Sequence, residues 1–220
     1  MVLGAATVTD DVEGEVISRG DVSGITDSQI EAELVKMRGT IMQRPSSVSA
    51  VKVDGERAYD RVRAGESVEL ASREVTISQL DIKEIRRIEN AVEVDIEVTC
   101  SAGTFIRAIA RDCGDALAVG GHLNALRRTR VAGFGLDKAI SLTSLKAGEF
   151  ATLPLVDVAR TTFSARELAL EEVNELSFGR PLSPNPDEAI YAAISGEVLI
   201  ALLCNKDALA KPIAVFAAAN

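Results

Sequence analysis

The chain has 220 residues, with 24 Lys and Arg side chains against 33 Asp and Glu, which gives a formal net charge of -9. Hydrophobic residues make up 47% of the sequence, a globular value that excludes disordered and low-complexity classes. Apolar runs stay far below the roughly 20 residues of a membrane-spanning helix, and no signal-peptide pattern is present. We therefore predict a cytoplasmic protein with no membrane partner.

The first third of the chain predicts short strands and one capped helix. Leu3–Thr9 and Glu15–Arg19 have the pattern of a β-hairpin. Thr26 followed by Gln29 is a capping-box pattern, which opens a helix that we expect to stop at Gly39. Further along we predict strands at Thr40–Gln43 and Ala50–Val53, and a helix over Glu56–Ala64.

The middle of the chain predicts two long strands and an amphipathic helix. Apolar and polar residues alternate through Ala91–Cys100, which favours pairing with Val75–Ile85. A helix follows from Thr104, a suitable N-cap, to about Leu117, with an apolar stripe on one face. After it we predict a strand at Leu123–Arg130 and a short helix at Ser141–Lys146.

The last part of the chain predicts a small second domain. A boundary near Leu153–Thr162 precedes a helix at Ala165–Leu176 and a proline-containing linker. Strands are expected at Ala189–Ile194, Val198–Asn205 and Ile213–Ala217. The fold class is thus α+β: residues 1–157 form a mixed, mostly antiparallel sheet flanked by helices, and 158–220 form a small β-rich C-terminal domain.

The charge distribution singles out one basic stretch. Residues 101–131 carry five arginines against two acidic side chains, a local net charge of +3, whereas the rest of the chain is acidic. An RNA partner is therefore possible only if binding is concentrated there, and a solvated charged face is the alternative. With one histidine and no Cys-x-x-Cys pair among three cysteines, we expect free thiols and no metal site.

Four segments, taken in order, resemble the bacterial TruB family of tRNA pseudouridine synthases. They are Leu3–Gly14, Pro45–Gly65, Cys100–Gly114 and Gly121–Arg130. The resemblance covers roughly residues 3–157, and the tail fits the family more loosely, as a PUA-like module. The family isomerises uridine 55 to pseudouridine in the tRNA TΨC loop, so the resemblance implies the later part of a pseudouridine-synthase catalytic domain. It also implies a T-arm partner, base flipping, a monomer, and no metal or cofactor.

The resemblance assigns roles to individual residues. Arg107 matches the arginine that the family pairs with its catalytic aspartate, Phe105 matches the usual tyrosine against the flipped base, and Leu126 matches a pocket leucine. Taken singly, Phe105 and Leu126 are more typical of a core and Arg107 of a surface, so only the joint pattern supports the roles. Contacts to the RNA backbone are expected, by the same resemblance, from Arg111, Arg127, Arg128, Arg130, Lys52 and Arg57.

The family's Gly-x-Leu-Asp-Pro-x-Ala-x-Gly motif, which holds the catalytic aspartate, is not in this sequence. We therefore expect a truncated form of a synthase, inactive and poorly soluble on its own. One alternative is a short non-catalytic RNA-binding or tRNA-chaperone protein. Another is a small-molecule enzyme with an acidic surface, for which the sequence offers no acid–base pair.

Overall fold

A computed structural model describes residues 1–46, 70–186 and 189–217, together with the backbone of 52–53 and 56–57. The chain forms two compact units, Met1–Arg127 and Arg128–Asn220, so the units divide earlier than the predicted boundary at 157/158. Within the described residues, no helix has both the length and the apolar character needed to cross a membrane.

The first unit is built on an antiparallel five-stranded sheet with the order β4-β7-β8-β1-β9. Two helices cover one face of this sheet, and two further strand pairs, β2–β3 and β5–β6, complete the unit. Its elements are β1 Val2–Leu3, β2 Ala5–Thr7, β3 Val16–Arg19, α1 Asp27–Val35, β4 Gly39–Gln43, β5 Lys52–Val53, β6 Glu56–Arg57, β7 Arg73–Ile88, β8 Ala91–Cys100, α2 Ile106–Ala116 and β9 Gly121–His122.

The core of the first unit lies between the sheet and the two helices. Ile30 of α1 and Ile109 of α2 are fully buried against Ile77, Leu80 and Val94 of the long strands. Each such side chain contributes about 1.5–3 kcal/mol through burial. The opposite face of β7 and β8 is charged, as the alternation in the sequence predicts.

The predicted capping box is confirmed at the start of α1. The Gln29 backbone N–H donates to Thr26 Oγ1 at 3.3 Å, and the Thr26 backbone N–H donates to Gln29 Oε1 at 2.9 Å. The helix ends at Val35, before the predicted stop. Gly39 instead opens β4 with a left-handed φ of +87°, a conformation that favours glycine.

The second unit contains a four-stranded sheet with the order β12-β13-β14-β15, in which β12 runs parallel to β13. Leu176, Tyr191 and Leu203 are fully buried on one side of this sheet, and Val156 and Ile194 are buried on the other. Its elements are β10 Arg130–Val131, β11 Phe134–Gly135, α3 Leu142–Ala147, α4 Leu155–Thr162, β12 Ser164–Glu167, α5 Leu170–Ser177, β13 Tyr191–Ser195, β14 Val198–Lys206 and β15 Leu209–Val215.

Three predicted elements are corrected by the structure. The predicted strand at Leu123–Arg130 is irregular over 124–129, because only Leu123 and Arg130 find β partners. The predicted helix at Ala165–Leu176 begins instead as β12, since pairing with β13 overrides the local helical pattern. Of the predicted helix Glu56–Ala64, the first two residues pair with β5, and the remainder, including Tyr59, lies outside the described residues.

Candidate functional site

A tight loop between β2 and β3 holds the carboxylate of Asp11 in a fixed position. The Thr7 hydroxyl donates to the Asp11 carbonyl oxygen at 2.7 Å, and the Gly14 backbone N–H donates to the same oxygen at 3.2 Å. The Thr9 hydroxyl and the Glu13 backbone N–H both donate to Asp11 Oδ1. The loop therefore saturates one carboxylate oxygen and leaves Oδ2 for another partner.

That partner is Arg107, in the first turn of α2. Arg107 Nη1 lies 2.7 Å from Asp11 Oδ2 and also donates to the carbonyl oxygen of Thr9 at 3.0 Å. The two charged side chains are only 26% and 23% exposed, so the pair is shielded from water. Partial burial alone would raise the pKa of Asp11, but the bonds from Thr9 and Arg107 and the arginine charge outweigh it and lower that pKa.

One helical turn further on, Arg111 forms a second and deeper ion pair. Its Nη1 lies 3.0 Å from Asp10 Oδ2, and both side chains are 11% exposed. Asp10 has a left-handed φ of +58°, a backbone conformation that is uncommon outside glycine but that aspartate adopts more readily than most residues. Arg111 also donates to the carbonyl oxygen of Arg44 at 2.7 Å. These bonds contradict the predicted contact of Arg111 with the RNA backbone, because its guanidinium already binds groups inside the protein.

The loop and the helix are brought together by a close approach of glycines. The Leu123 backbone N–H donates to the Asp10 carbonyl oxygen at 3.0 Å, beside β9. A Cβ on Gly121 would stand 2.1 Å from the carbonyl oxygen of Ala110 in α2, and a Cβ on Gly114 would stand 2.2 Å from the backbone of Gly120. Only glycine permits this packing, which sets the arginines of α2 against the loop.

Phe105 lies immediately before α2 and is anchored from two sides. The buried Gln43 side chain receives the Phe105 backbone N–H at 2.8 Å and donates to its carbonyl oxygen at 3.1 Å. The Arg73 guanidinium carbon lies 4.8 Å from the centroid of the Phe105 ring, a cation–π arrangement. Phe105, and not the predicted Thr104, is the N-cap residue of α2, without a side-chain cap bond.

The remaining predicted site residues are less constrained. Leu126 is 60% exposed in the irregular segment that follows β9. The side chains of Lys52 and Arg57 lie outside the part of the chain that the structure describes. Exposed side chains are found at Arg127, Arg128 and Arg130.

Sequence reasoning missed the most informative contact. We expect the partner of Arg107 to be an aspartate that this chain does not contain, yet the structure gives it Asp11, 96 positions away along the chain. The dipeptide Asp10-Asp11 beside Thr7 and Thr9 is the only local signal, since threonine and aspartate side chains favour such self-bonded turns. Gln43 and Arg73 were missed as well, and nothing in their local sequence marks them.

Comparisons with known proteins match successive parts of the chain to one family. Residues 1–106 match the family model described as TruB family pseudouridylate synthase (N terminal domain). Residues 107–152 match the tRNA pseudouridylate synthase B C-terminal domain, and residues 163–217 match tRNA Pseudouridine synthase II, C terminal. The three matches follow one another along most of the chain.

Two similar relatives are both named tRNA pseudouridine synthase B. The one from Mycobacteroides abscessus is 49% identical over 219 residues, covering 99% of this chain and 74% of its own length. The one from Arthrobacter is 46% identical over 230 residues, covering 99% of this chain and 75% of its own length. This chain thus spans about three quarters of each relative.

A solved structure described as a Cbf5-Nop10-Gar1 complex shares the fold. Its TM-score is 0.63 at 20% identity, over 97% of this chain and 65% of that one. That likeness shows the fold, and the family models and the relatives give the class, which is an RNA-modifying isomerase that makes pseudouridine. This chain belongs to the TruB family of tRNA pseudouridine synthases.

Proposed function

We propose that this protein acts on uridine 55 in the T-loop of tRNA, and that the reaction is centred on Arg107. The observation that carries the proposal is the shielded Arg107–Asp11 pair, which joins two segments that match models of the family. A guanidinium held in this way stays charged and oriented at every physiological pH. It therefore suits a site that must receive a carboxylate and a nucleotide phosphate together.

Asp11 serves this site as a holder of Arg107, not as the nucleophile. Its carboxylate already accepts bonds from Thr9, Glu13 and Arg107, and its pKa is lowered. A carboxylate stabilised by so many donors is a weak nucleophile, because attack on the ribose or the base would give up those bonds. The nucleophilic aspartate belongs to the family motif that this sequence does not contain, so we propose that the 220-residue chain alone does not turn over.

Phe105 and Leu126 are proposed to form the apolar wall against the flipped uracil. Two hydrogen bonds with Gln43 fix the backbone of Phe105, and the Arg73 guanidinium lies over its ring, so both are held in place before substrate arrives. Phenylalanine lacks the hydroxyl of the usual tyrosine but keeps the face on which a base packs. Arg127, Arg128 and Arg130 are exposed and are proposed to contact the RNA backbone, which positions the tRNA without reading its sequence.

The wider setting follows from the substrate. A tRNA-modifying enzyme works where tRNA is made and processed, so we propose a cytoplasmic location and a monomer that binds the T-arm. We propose residues 158–220 as a separate C-terminal domain that contacts the tRNA.

Pseudouridine formation tests the proposal directly. An in vitro tRNA transcript is incubated with the 220-residue chain, and with the same chain joined to the motif-bearing segment of the Mycobacteroides abscessus relative. We expect the joined protein to form pseudouridine at position 55 and the chain alone to bind the transcript without turnover. Turnover at another tRNA position would refute the assignment of uridine 55.

The rival function, a non-catalytic RNA-binding or tRNA-chaperone protein, is favoured by one observation. Asp11 already forms an ion pair with Arg107, so the charge of this guanidinium is neutralised without a second carboxylate. This rival is supported if the joined protein binds tRNA with unchanged affinity but forms no pseudouridine.

A further inference from the structure

Arg73 and Gln43 both contact Phe105, although all three come from different parts of the chain. Gln43 and Arg73 are directly paired across β4 and β7, so their side chains project from the same face of the sheet. Gln43 bonds both backbone groups of Phe105, and the Arg73 guanidinium covers one face of its ring at 4.8 Å. The guanidinium is therefore fixed in orientation by the ring beneath it.

One buried donor of Arg73 has no acceptor. Its Nε is buried without a hydrogen-bond partner, and among the described residues no carboxylate forms an ion pair with this side chain. Arg86 in the same strand contacts three carboxylates, those of Glu84, Glu93 and Asp95. A buried charged donor without an acceptor is unfavourable.

Because Nε is buried, an outside ligand would meet Arg73 through its Nη groups, and the geometry of these groups defines the chemistry of that ligand. A planar guanidinium that is already stacked and oriented binds a tetrahedral oxyanion through two parallel N–H groups, with little further loss of side-chain entropy. The ring on which it stacks is the one assigned above to the flipped uracil, so the anion must lie beside the reacting nucleotide.

We propose that Arg73 binds a backbone phosphate of the RNA strand next to the flipped uridine. This inference rests on the proposed function, because it takes the Phe105 ring as the wall of the nucleotide pocket. Arg73 acts as a positioning residue: it anchors the strand while its stack keeps the Phe105 ring in place. The contact reads no sequence, so its signature is electrostatic.

Salt-dependent binding of a tRNA transcript to the 220-residue chain tests this inference. Arg73→Gln removes the charge, and Arg87→Gln is the matched control, since Arg87 lies in the same strand but pairs with Asp27 of α1. We expect Arg73→Gln to weaken binding about tenfold and to reduce the slope of log Kd against log salt by about one. Arg73→Lys should keep the slope, and Arg87→Gln should change neither quantity.

Several outcomes overturn the inference. If Arg73→Gln weakens binding with an unchanged slope, Arg73 only packs against Phe105 and binds no phosphate. Equal effects of the two Gln variants point to a general loss of charge. If a thermal scan shows that Arg73→Gln is unfolded, the test uses Arg73→Lys instead. A tenfold loss of affinity together with a lower salt slope in Arg73→Lys contradicts a charge contact. Unchanged binding by Arg73→Gln removes this inference and leaves the proposed function standing, whereas a wild-type chain that does not bind tRNA removes both.

Discussion

Arginine–carboxylate pairs occur in two regions of the first unit, and they differ in their surroundings. On α2, Arg107 and Arg111 face Asp11 and Asp10 with side chains that are largely shielded. On the outer face of β7 and β8, Arg86 contacts its carboxylates with 39% of its side chain exposed. The same pairing chemistry thus appears once in a site and once on a solvated surface.

Burial, not residue type, separates these two regions. An exposed pair gains little, because water and salt screen the attraction and both side chains lose rotamer freedom. A shielded pair holds its geometry, since breaking it would leave a charge in a poorly hydrated place. The pairs on α2 can therefore hold an arginine in one position within a site. The pairs on β7 and β8 mainly keep the outer face of the sheet hydrated.

The largest effect is expected from breaking the deeper pair. Arg111→Met leaves the Asp10 carboxylate buried without a partner and also removes the bond to the Arg44 carbonyl. We expect the free energy of unfolding to fall by about 3–5 kcal/mol in urea denaturation. Arg86→Met on the outer face is the comparison variant, and a similar loss there would contradict the distinction between the two regions.

The next effect concerns turnover. In the chain joined to the motif-bearing segment, Arg107→Ala should lower pseudouridine formation by about 100-fold or more while most tRNA binding is kept. Lys83→Ala, which removes an exposed pair with Glu97, should leave the rate unchanged. Near-normal turnover by Arg107→Ala in single-turnover assays would refute the central role of this guanidinium.

A smaller effect should appear in acid. The pKa of Asp11 is lowered below its usual value of 3.8, so its ionised form stabilises the folded state fully above that value. This contribution is lost as the pH falls through the lowered pKa. We expect the stability difference between wild type and Asp11→Asn to be constant above about pH 5 and to shrink towards about pH 2. A difference that shrinks already near neutral pH would contradict the lowered pKa.

The smallest effect is expected on the outer face. Arg86→Met should leave the thermal midpoint almost unchanged in moderate salt, because its partners remain hydrated when it is removed. The measurement is a pair of thermal scans at low and high salt. A large loss that persists in high salt would show that these exposed pairs are structural after all.

Local sequence patterns predicted the elements whose stability is local. The alternation through Ala91–Cys100 and the capping box at Thr26 are both confirmed, because each depends on neighbours along the chain. The strand predicted at Leu123–Arg130 failed, since a short apolar run does not say whether a partner strand is available. The helix predicted at Ala165–Leu176 failed in its first turn because a partner strand is available. The start of this segment pairs with β13 and forms β12.

The site was predictable only in part. Resemblance to the family singled out Arg107, Phe105 and Leu126, but their roles are still proposals. The contacts of Arg107 with Asp11 and of Phe105 with Gln43 join residues 96 and 62 positions apart. No periodicity or spacing in one sequence encodes such distant pairs, because they depend on the sheet order and on the close approach of α2 to β9.

The double pairing of α2 with adjacent aspartates also sets a rule for insertions and deletions. Asp10 and Asp11 engage arginines four positions apart, so they fix both the rotation and the axial register of the helix. Removing one residue between Arg107 and Arg111 would swing one guanidinium by about 100° and break one pair. A change of length within this one turn should therefore be rejected, because no adjustment of the helix restores both pairs at once.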